Sequence, residues 1–248
     1  AQACGETGPG RMMEPKDIAD HLADLKRPGP LSGVRVLITA GPTREAIDPV
    51  RYLTNRSSGK MGYAVAEAAL AAGAEVTLVS GPTGLTAPKG SRRIDVESAA
   101  AMHHAVMGEI DQIDLFIAAA AVADYAPEAA PEKLKKTSEI LALNLHRTPD
   151  ILAEVAALPK RPFTVGFAAE TEALETHARK KLMTKSLDLI AANQVGQGLG
   201  FEVDDNALLV LWADGQQQLD KAPKRHLAEH LISLIADHYH AKHPAQIA

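Results

Sequence analysis

Leu37-Ile38-Thr39-Ala40-Gly41-Pro42-Thr43-Arg44-Glu45, continuing through Asp48-Pro49-Val50-Arg51-Tyr52 to Asn55-Arg56-Ser57-Ser58-Gly59-Lys60-Met61-Gly62, decides how the rest of the chain is read. It begins as an apolar strand, breaks at Gly41-Pro42, runs through a long polar loop and enters a helix at Ser57-Ser58-Gly59. The first N–H groups of a helix have no internal partner and carry partial positive charge, so such a start suits an anion. Gly59 and Gly62 let a ligand come close to the backbone. Arg44, Arg51, Arg56 and Lys60 add positive charge, and Asn55 adds an amide donor and acceptor.

Working outward, residues 34–40 form a near-continuous apolar run suited to a buried parallel strand. An Ala-rich helix over 60–72 stops at Gly73. Strands follow at 75–80 and 93–96, then a helix capped by Ser98 and running to about Ile110, then a strand at 115–121. Further on, 140–145 alternates as an antiparallel-type strand, and Pro149-Asp150-Ile151-Leu152 opens a helix. A strand at 163–168, a helix at 172–184 and a strand at 187–192 come next. A hairpin around Asp214-Gly215 and a closing helix at 224–240 complete the pattern. The alternation of apolar strands with helices implies an α/β fold: a Rossmann-like, doubly wound, mostly parallel sheet with a small antiparallel addition. Such sheets bind ligands beyond the carboxyl ends of their strands.

With 248 residues, 46% hydrophobic and 23% charged, the chain is long enough for a sizeable core. A net charge of −5 argues against a general nucleic-acid binder, though a local basic pocket is compatible with it. The single cysteine, Cys4, excludes an internal disulfide, and no apolar run approaches the roughly 18 residues of a membrane span. The expectation is a cytoplasmic protein without membrane or nucleic-acid partners. Residues 1–30 read either as a disordered tail or as the end of a preceding domain, with Arg27-Pro28-Gly29-Pro30 as a linker.

Three stretches offer chemistry. Ala118-Ala119-Ala120-Ala121 leaves little bulk at a strand end, and Asp124 just beyond it suits a cation or a polar ligand edge, or else a plain turn. Residues 126–138 contain two prolines and Lys133-Leu134-Lys135-Lys136, read as a basic flap or as a solvated surface turn. Lys181 and Lys185 share a helix face if the helix extends that far. No Gly-x-Gly-x-x-Gly follows the first strand, and Ser80 stands where a dinucleotide binder carries an acid, which weakens an NAD(P)-type reductase reading. No histidine sits with metal-ligand spacing, and no serine-nucleophile elbow occurs. What remains suits phosphate-rich substrates and catalysis by positioning and charge stabilisation. A non-catalytic assembly module is the other alternative.

On the opening stretch, together with Ala120-Ala121-Val122-Ala123-Asp124-Tyr125, Lys133-Leu134-Lys135-Lys136, Pro149-Asp150-Ile151, Gly166-Phe167-Ala168-Ala169-Glu170-Thr171 and Asp188-Leu189-Ile190-Ala191-Ala192-Asn193, the chain resembles the phosphopantothenate–cysteine ligase domain of the bacterial bifunctional coenzyme A enzyme. The resemblance implies a CTP-dependent reaction through an acyl-cytidylate, with Mg²⁺ accompanying CTP. It implies catalytic roles for Asn55 and Lys133. CTP would be bound by Ala118, Ala119, Ala120, Asp124, Lys133, Pro149, Asp150, Ile151, Leu152, Phe167, Lys181 and Lys185. Phosphopantothenate would be bound by Gly41, Arg51, Asn55, Ser57, Ser58, Gly59 and Ala121. Magnesium would be held through the CTP phosphates, with Asp124 as the candidate protein ligand. Arg56 stands where other members can carry histidine, and both side chains donate hydrogen bonds.

The resemblance also implies a homodimer whose site is completed across the interface. Ala3-Cys4-Gly5-Glu6 and Gly8-Pro9-Gly10-Arg11-Met12 resemble the substrate clamp of the flavin-dependent decarboxylase that precedes the ligase. Residues 1–30 are then a remnant of that fused domain plus linker, and 31–248 the ligase domain. No flavin belongs to this chain, and Cys4 is idle in it.

Overall fold

The computed structural model describes residues 28–136, 139–195 and 205–244. The expectations for 1–27, for Thr137 and Ser138 in the flap, and for the tail beyond 244 lie outside the described residues.

The opening run is β1 (Arg35–Ala40), buried at every position after Arg35. It is followed by β2 (Arg44–Ala46), β3 (Tyr52–Thr54), α1 (Lys60–Ala71), β4 (Glu75–Ser80), β5 (Arg92–Asp95) and α2 (Ala99–Glu109). Then come β6 (Leu115–Ala118), β7 (Tyr125–Pro127), β8 (Leu145–Arg147), α3 (Ile151–Ala156), β9 (Phe163–Glu170) and α4 (Leu174–Thr184). The chain closes with β10 (Leu189–Gln194), β11 (Asp205–Trp212), β12 (Gly215–Pro223) and α5 (Lys224–Lys242). Among the described residues, eight strands form one sheet in the order β12-β11-β10-β9-β6-β1-β4-β5. The run from β10 to β5 is parallel, and β11 and β12 add antiparallel strands at one edge. The order reverses direction between β1 and β6, the switch point of a doubly wound sheet.

Alternation in the strands separates two cores. Val36, Ile38, Leu78, Ile117, Val165 and Ala191 face α1 and α5. Leu37, Val79 and Phe116 face α2 and α3, while Ile190, Ala192 and Leu211 face α4. Strands that bury both faces read as continuous apolar runs, which is why β1 was legible as one. Each Val, Leu, Ile or Phe among them contributes about 1.5–3 kcal/mol on burial. Ser98 caps α2 by accepting the Ala101 N–H at 3.2 Å, and the buried Glu45 carboxylate accepts the Ala99 N–H at 2.9 Å. The capping expectation is met, and Glu45 supports it from the polar loop.

Two stretches differ from expectation. The loop between Gly41 and Gly59 contains a hairpin, with β2 and β3 antiparallel and Glu45 opposite Leu53. Asp48 closes its turn by accepting the N–H groups of Val50 and Arg51, a side-chain mimic of a backbone turn. Conversely, 140–145 is not a strand: only Leu145–Arg147 pairs, with Tyr125–Pro127. Among the described residues no strand lies beside the alternating residues before it, and Ile140 is 82% exposed.

Candidate ligand-binding site

A cavity of about 600 Å³ opens at the switch point, between the carboxyl ends of β1, β6, β9 and β10 and the start of α1. Its floor is the alanine strip after β6. The main chain there follows β1 beyond the last paired residue: Ala119 N–H donates to Thr39 O at 3.1 Å, and Ala121 N–H to Gly41 O at 2.9 Å. Side chains fasten the strip from three directions. Thr39 Oγ1 accepts the Ala120 N–H and Thr43 Oγ1 the Ala123 N–H, while Thr148 Oγ1 donates to Ala123 O at 2.6 Å. Small residues are therefore held rigidly where a ligand meets main chain.

Asn55 stands over this floor. Its Nδ2 donates to Ala121 O at 2.7 Å, which fixes the amide's orientation, because a carbonyl can accept only from the NH₂ group. Its Oδ1 is buried and has no hydrogen-bond partner among the described residues. A buried acceptor left unpaired costs roughly 1–3 kcal/mol, so this atom is suited to a ligand's N–H or O–H.

The wall beside Asn55 is the start of α1. Gly59 is its N-cap in the left-handed region (φ +77°), and no side chain caps the helix. The helix begins at Lys60, where the Ala-rich run over 60–72 put it, with Ser57, Ser58 and Gly59 lining the approach. Gly62 packs so tightly on β1 that a Cβ there would meet the Ala40 Cβ at 2.6 Å.

The opposite wall comes from α3 and α4. Asp150 is the N-cap of α3, accepting the Ala153 N–H at 3.1 Å, and it pairs with Lys185 Nζ at 2.7 Å. Burial pushes the Asp150 carboxyl up. The Lys185 hydrogen bond, the Ala153 N–H and the Lys185 and Arg147 charges outweigh it and hold that carboxyl below the ordinary range. Lys181 Nζ pairs with Glu170 Oε1 at 2.6 Å. The helix ends at Thr184, but Lys185 still donates its N–H to Lys181 O, so the two lysines share a face. Five cationic side chains (Lys60, Arg147, Lys181, Lys185, Lys224) and two carboxylates (Asp124, Asp150) line the cavity, a balance that favours an anionic ligand.

Most of the expected residues meet here: Asn55, Ser57, Ser58, Gly59, Ala118, Ala119, Ala120, Ala121, Asp124, Pro149, Asp150, Ile151, Leu152, Phe167, Lys181 and Lys185 line one cavity. Three do not. Gly41 lies behind Gly59, whose added Cβ would come within 3.3 Å of the Gly41 Cα. Lys133 is exposed on the flap. Arg51 turns away, paired with Asp48 and donating to the Leu134 carbonyl at 3.2 Å. Sequence reasoning missed Arg147, Thr148, Asn206 and Lys224, which also line the cavity. Arg147 and Thr148 precede Pro149-Asp150 directly, so the position of that helix start was the available signal. Asn206 and Lys224 belong to no motif. No group of three or more His, Cys, Asp or Glu that could hold a metal occurs among the described residues, and no described helix is long and apolar enough to cross a membrane.

A doubly wound sheet with a cationic cavity at its switch point defines an α/β protein built to hold an anionic ligand of nucleotide size. The chain belongs to the family described as the DNA/pantothenate metabolism flavoprotein C-terminal domain, whose profile matches residues 31–239. The coenzyme A biosynthesis bifunctional protein CoaBC of Vibrio cholerae is 54% identical over 239 residues, covering 94% of this chain and 60% of the relative. The protein of the same name from Escherichia coli K12 is 48% identical over 249 residues, covering 98% and 61%. A crystal structure of the C-terminal domain of CoaBC is 41% identical with a TM-score of 0.73, covering 84% of this chain and 97% of that one. The chain spans about 60% of the length of the curated relatives it matches.

Proposed function

We propose that this chain is the phosphopantothenate–cysteine ligase domain of a coenzyme A enzyme, joining 4′-phosphopantothenate to L-cysteine at the expense of CTP. The observation that carries the reading is the single cavity that gathers Asn55, the start of α1, the alanine strip and the lysine pair. Family membership and relatives named for coenzyme A biosynthesis support it.

The chemistry runs in two displacements. The phosphopantothenate carboxylate attacks the α-phosphorus of CTP; a C(O)O–P bond forms, the α–β bridge breaks and pyrophosphate leaves. The cysteine amine then attacks the acyl carbon; a C–N bond forms, the C–O bond to phosphorus breaks, and CMP leaves with the proton lost from nitrogen. Neither step needs a protein nucleophile, so the protein contributes position and charge. Lys181 and Lys185 exchange their carboxylate partners for phosphate oxygens and offset the charge on the departing pyrophosphate. The N–H groups at the start of α1, with Ser57 and Ser58, hold the acyl-phosphate side. Asn55 Oδ1 accepts from the attacking amine. The alanine strip lets the nucleotide lie against main chain, and Phe167 gives an apolar contact.

One carboxylate at the floor, Asp124, fits a magnesium ion that takes its other ligands from phosphates and water, the usual arrangement for this cation. Asp124 would hold it, and it would neutralise triphosphate charge.

Exposed apolar side chains support the homodimer that the resemblance implies. Val50, Tyr52, Tyr125, Leu141, Leu143 and Leu145 lie on the two small sheets and on the loops that connect the strands within each. A fused flavin-dependent decarboxylase, with residues 1–30 as its remnant, completes the proposed whole protein.

Incubation with CTP, 4′-phosphopantothenate, L-cysteine and Mg²⁺ tests the reading by mass spectrometry. The amide and CMP should appear together in equal amounts. Oxidation of NADPH with any carbonyl substrate, and no amide, would favour the reductase alternative instead.

A further inference from the structure

The turn between β2 and β3 grips a segment far away in the chain. Asp48 accepts five hydrogen bonds. Its Oδ1 takes the N–H groups of Val50 (2.9 Å) and Arg51 (2.8 Å). Its Oδ2 takes Arg51 Nε (3.0 Å), Arg51 Nη2 (2.5 Å) and the N–H of Leu134 (3.1 Å). Arg51 Nη2 donates onward to Leu134 O at 3.2 Å. The peptide groups on both sides of Leu134 are therefore held, one by each member of an ion pair. Nearby, Ala130 N–H donates to Ile47 O at 2.9 Å.

Leu134 is the centre of Lys133-Leu134-Lys135-Lys136. Its side chain is half-buried and the three lysines are exposed. Residues 133–136 belong to no strand or helix, so no ladder fixes their backbone. The Asp48 side chain has no exposed surface, while that of Arg51 is 43% exposed. A buried carboxylate whose hydrogen-bonding capacity is filled by its own turn, an arginine fork and a distant N–H is a rigid anchor.

We propose that Asp48 is a positioning residue: with Arg51 it forms a clasp that docks the basic segment 133–136, so that the clasp sets how far Lys133 reaches toward the anionic ligand. The clasp is a statement about geometry and stands alone. The action on the ligand rests on the ligase reading above. The clasp gives Arg51 a task outside the cavity, and it couples the hairpin beside Asn55 to the flap.

Asp48→Asn keeps the side-chain shape but turns an NH₂ toward the Arg51 and Leu134 donors, which opens the clasp. Arg51→Met keeps the stem and removes the fork at a half-exposed position. Trypsin cuts after lysine, so the flap reports its own docking. Cleavage after Lys133, Lys135 or Lys136 should rise about tenfold or more in either variant, with the Tm within a few degrees of wild type. Wild-type cleavage rates in both folded variants would overturn the clasp. If Asp48→Asn does not fold, Arg51→Met decides. When pyrophosphate release from CTP in the presence of 4′-phosphopantothenate is followed, the kcat/KM losses from Arg51→Met and Lys133→Ala should overlap, the double variant being within about threefold of the worse single one. Losses that multiply would overturn the coupling to Lys133 while leaving the proteolysis result to judge the clasp.

Discussion

The eight-stranded sheet and the two small sheets beside it bury apolar side chains to very different extents. In the large sheet, Val36, Leu37 and Ile38 are wholly buried, each successive residue covered by a different helix layer. In the β2–β3 and β7–β8 sheets, Val50 is 60% exposed and Tyr125 54%, and nothing among the described residues covers them. The first region completes its own core. The second is shaped by polar ties, such as the Asp48 clasp, and leaves apolar side chains exposed, which the proposed homodimer would cover. Stability should therefore reside in the large sheet, and the chemistry and assembly at its border with the small ones.

Phe116, wholly buried on β6, gives the sharpest version of this contrast. Phe116→Ala should lower unfolding free energy by about 3–5 kcal/mol in urea denaturation. A loss under about 1 kcal/mol would break the claim that this sheet carries the core. Asn55→Asp probes the border. It replaces the NH₂ donor to Ala121 O with an acceptor and adds negative charge opposite an anionic ligand. Amide formation should fall roughly hundredfold with Tm little changed, the scale seen when one polar group at a reacting centre is lost. Normal turnover would remove Asn55 from the chemistry.

Next in size is a pH effect on the clasp. The hydrogen bonds from Arg51 outweigh the cost of burial and, with three backbone N–H groups, hold the Asp48 carboxyl well below the usual carboxylate range. A lowered folded pKa means stability fully present above the unfolded value of about 3.9 and lost as pH falls through the folded pKa. Wild type should thus be more stable than Asp48→Asn at pH 7, the gap narrowing below about pH 4. A constant gap down to pH 2.5 would contradict the charged clasp. The smallest expected change concerns Tyr125→Ser with Val50→Ser. Exposed substitutions shift monomer stability by about 0.5 kcal/mol or less. Sedimentation velocity should nevertheless show weaker self-association, and unchanged association would put the covered face elsewhere.

Much of the large sheet could be read directly, because strands covered on both faces are apolar at consecutive positions and their helices end at Gly73 or begin at Ser98. The alanine strip was singled out from its place at a strand end, the lysine pair from its helical spacing and Pro149-Asp150 from the resemblance, and one cavity joins them. The β2–β3 hairpin was not, because three-residue strands rich in charge carry no period. Residues 140–145 misled for the converse reason: they alternate, but alternation makes a strand only where another strand offers its N–H and C=O groups. Arg51 was expected to contact phosphopantothenate from the resemblance. In this structure it pairs with Asp48 three residues before it and also donates to a carbonyl 83 residues away, a second contact that local pattern does not reveal.

Pyrophosphate release from CTP on adding 4′-phosphopantothenate, with cysteine withheld, tests the central claim most directly. The account predicts release that requires phosphopantothenate and not cysteine, because the acyl-cytidylate forms before the amine arrives. No release under any condition, or release indifferent to phosphopantothenate, would contradict it.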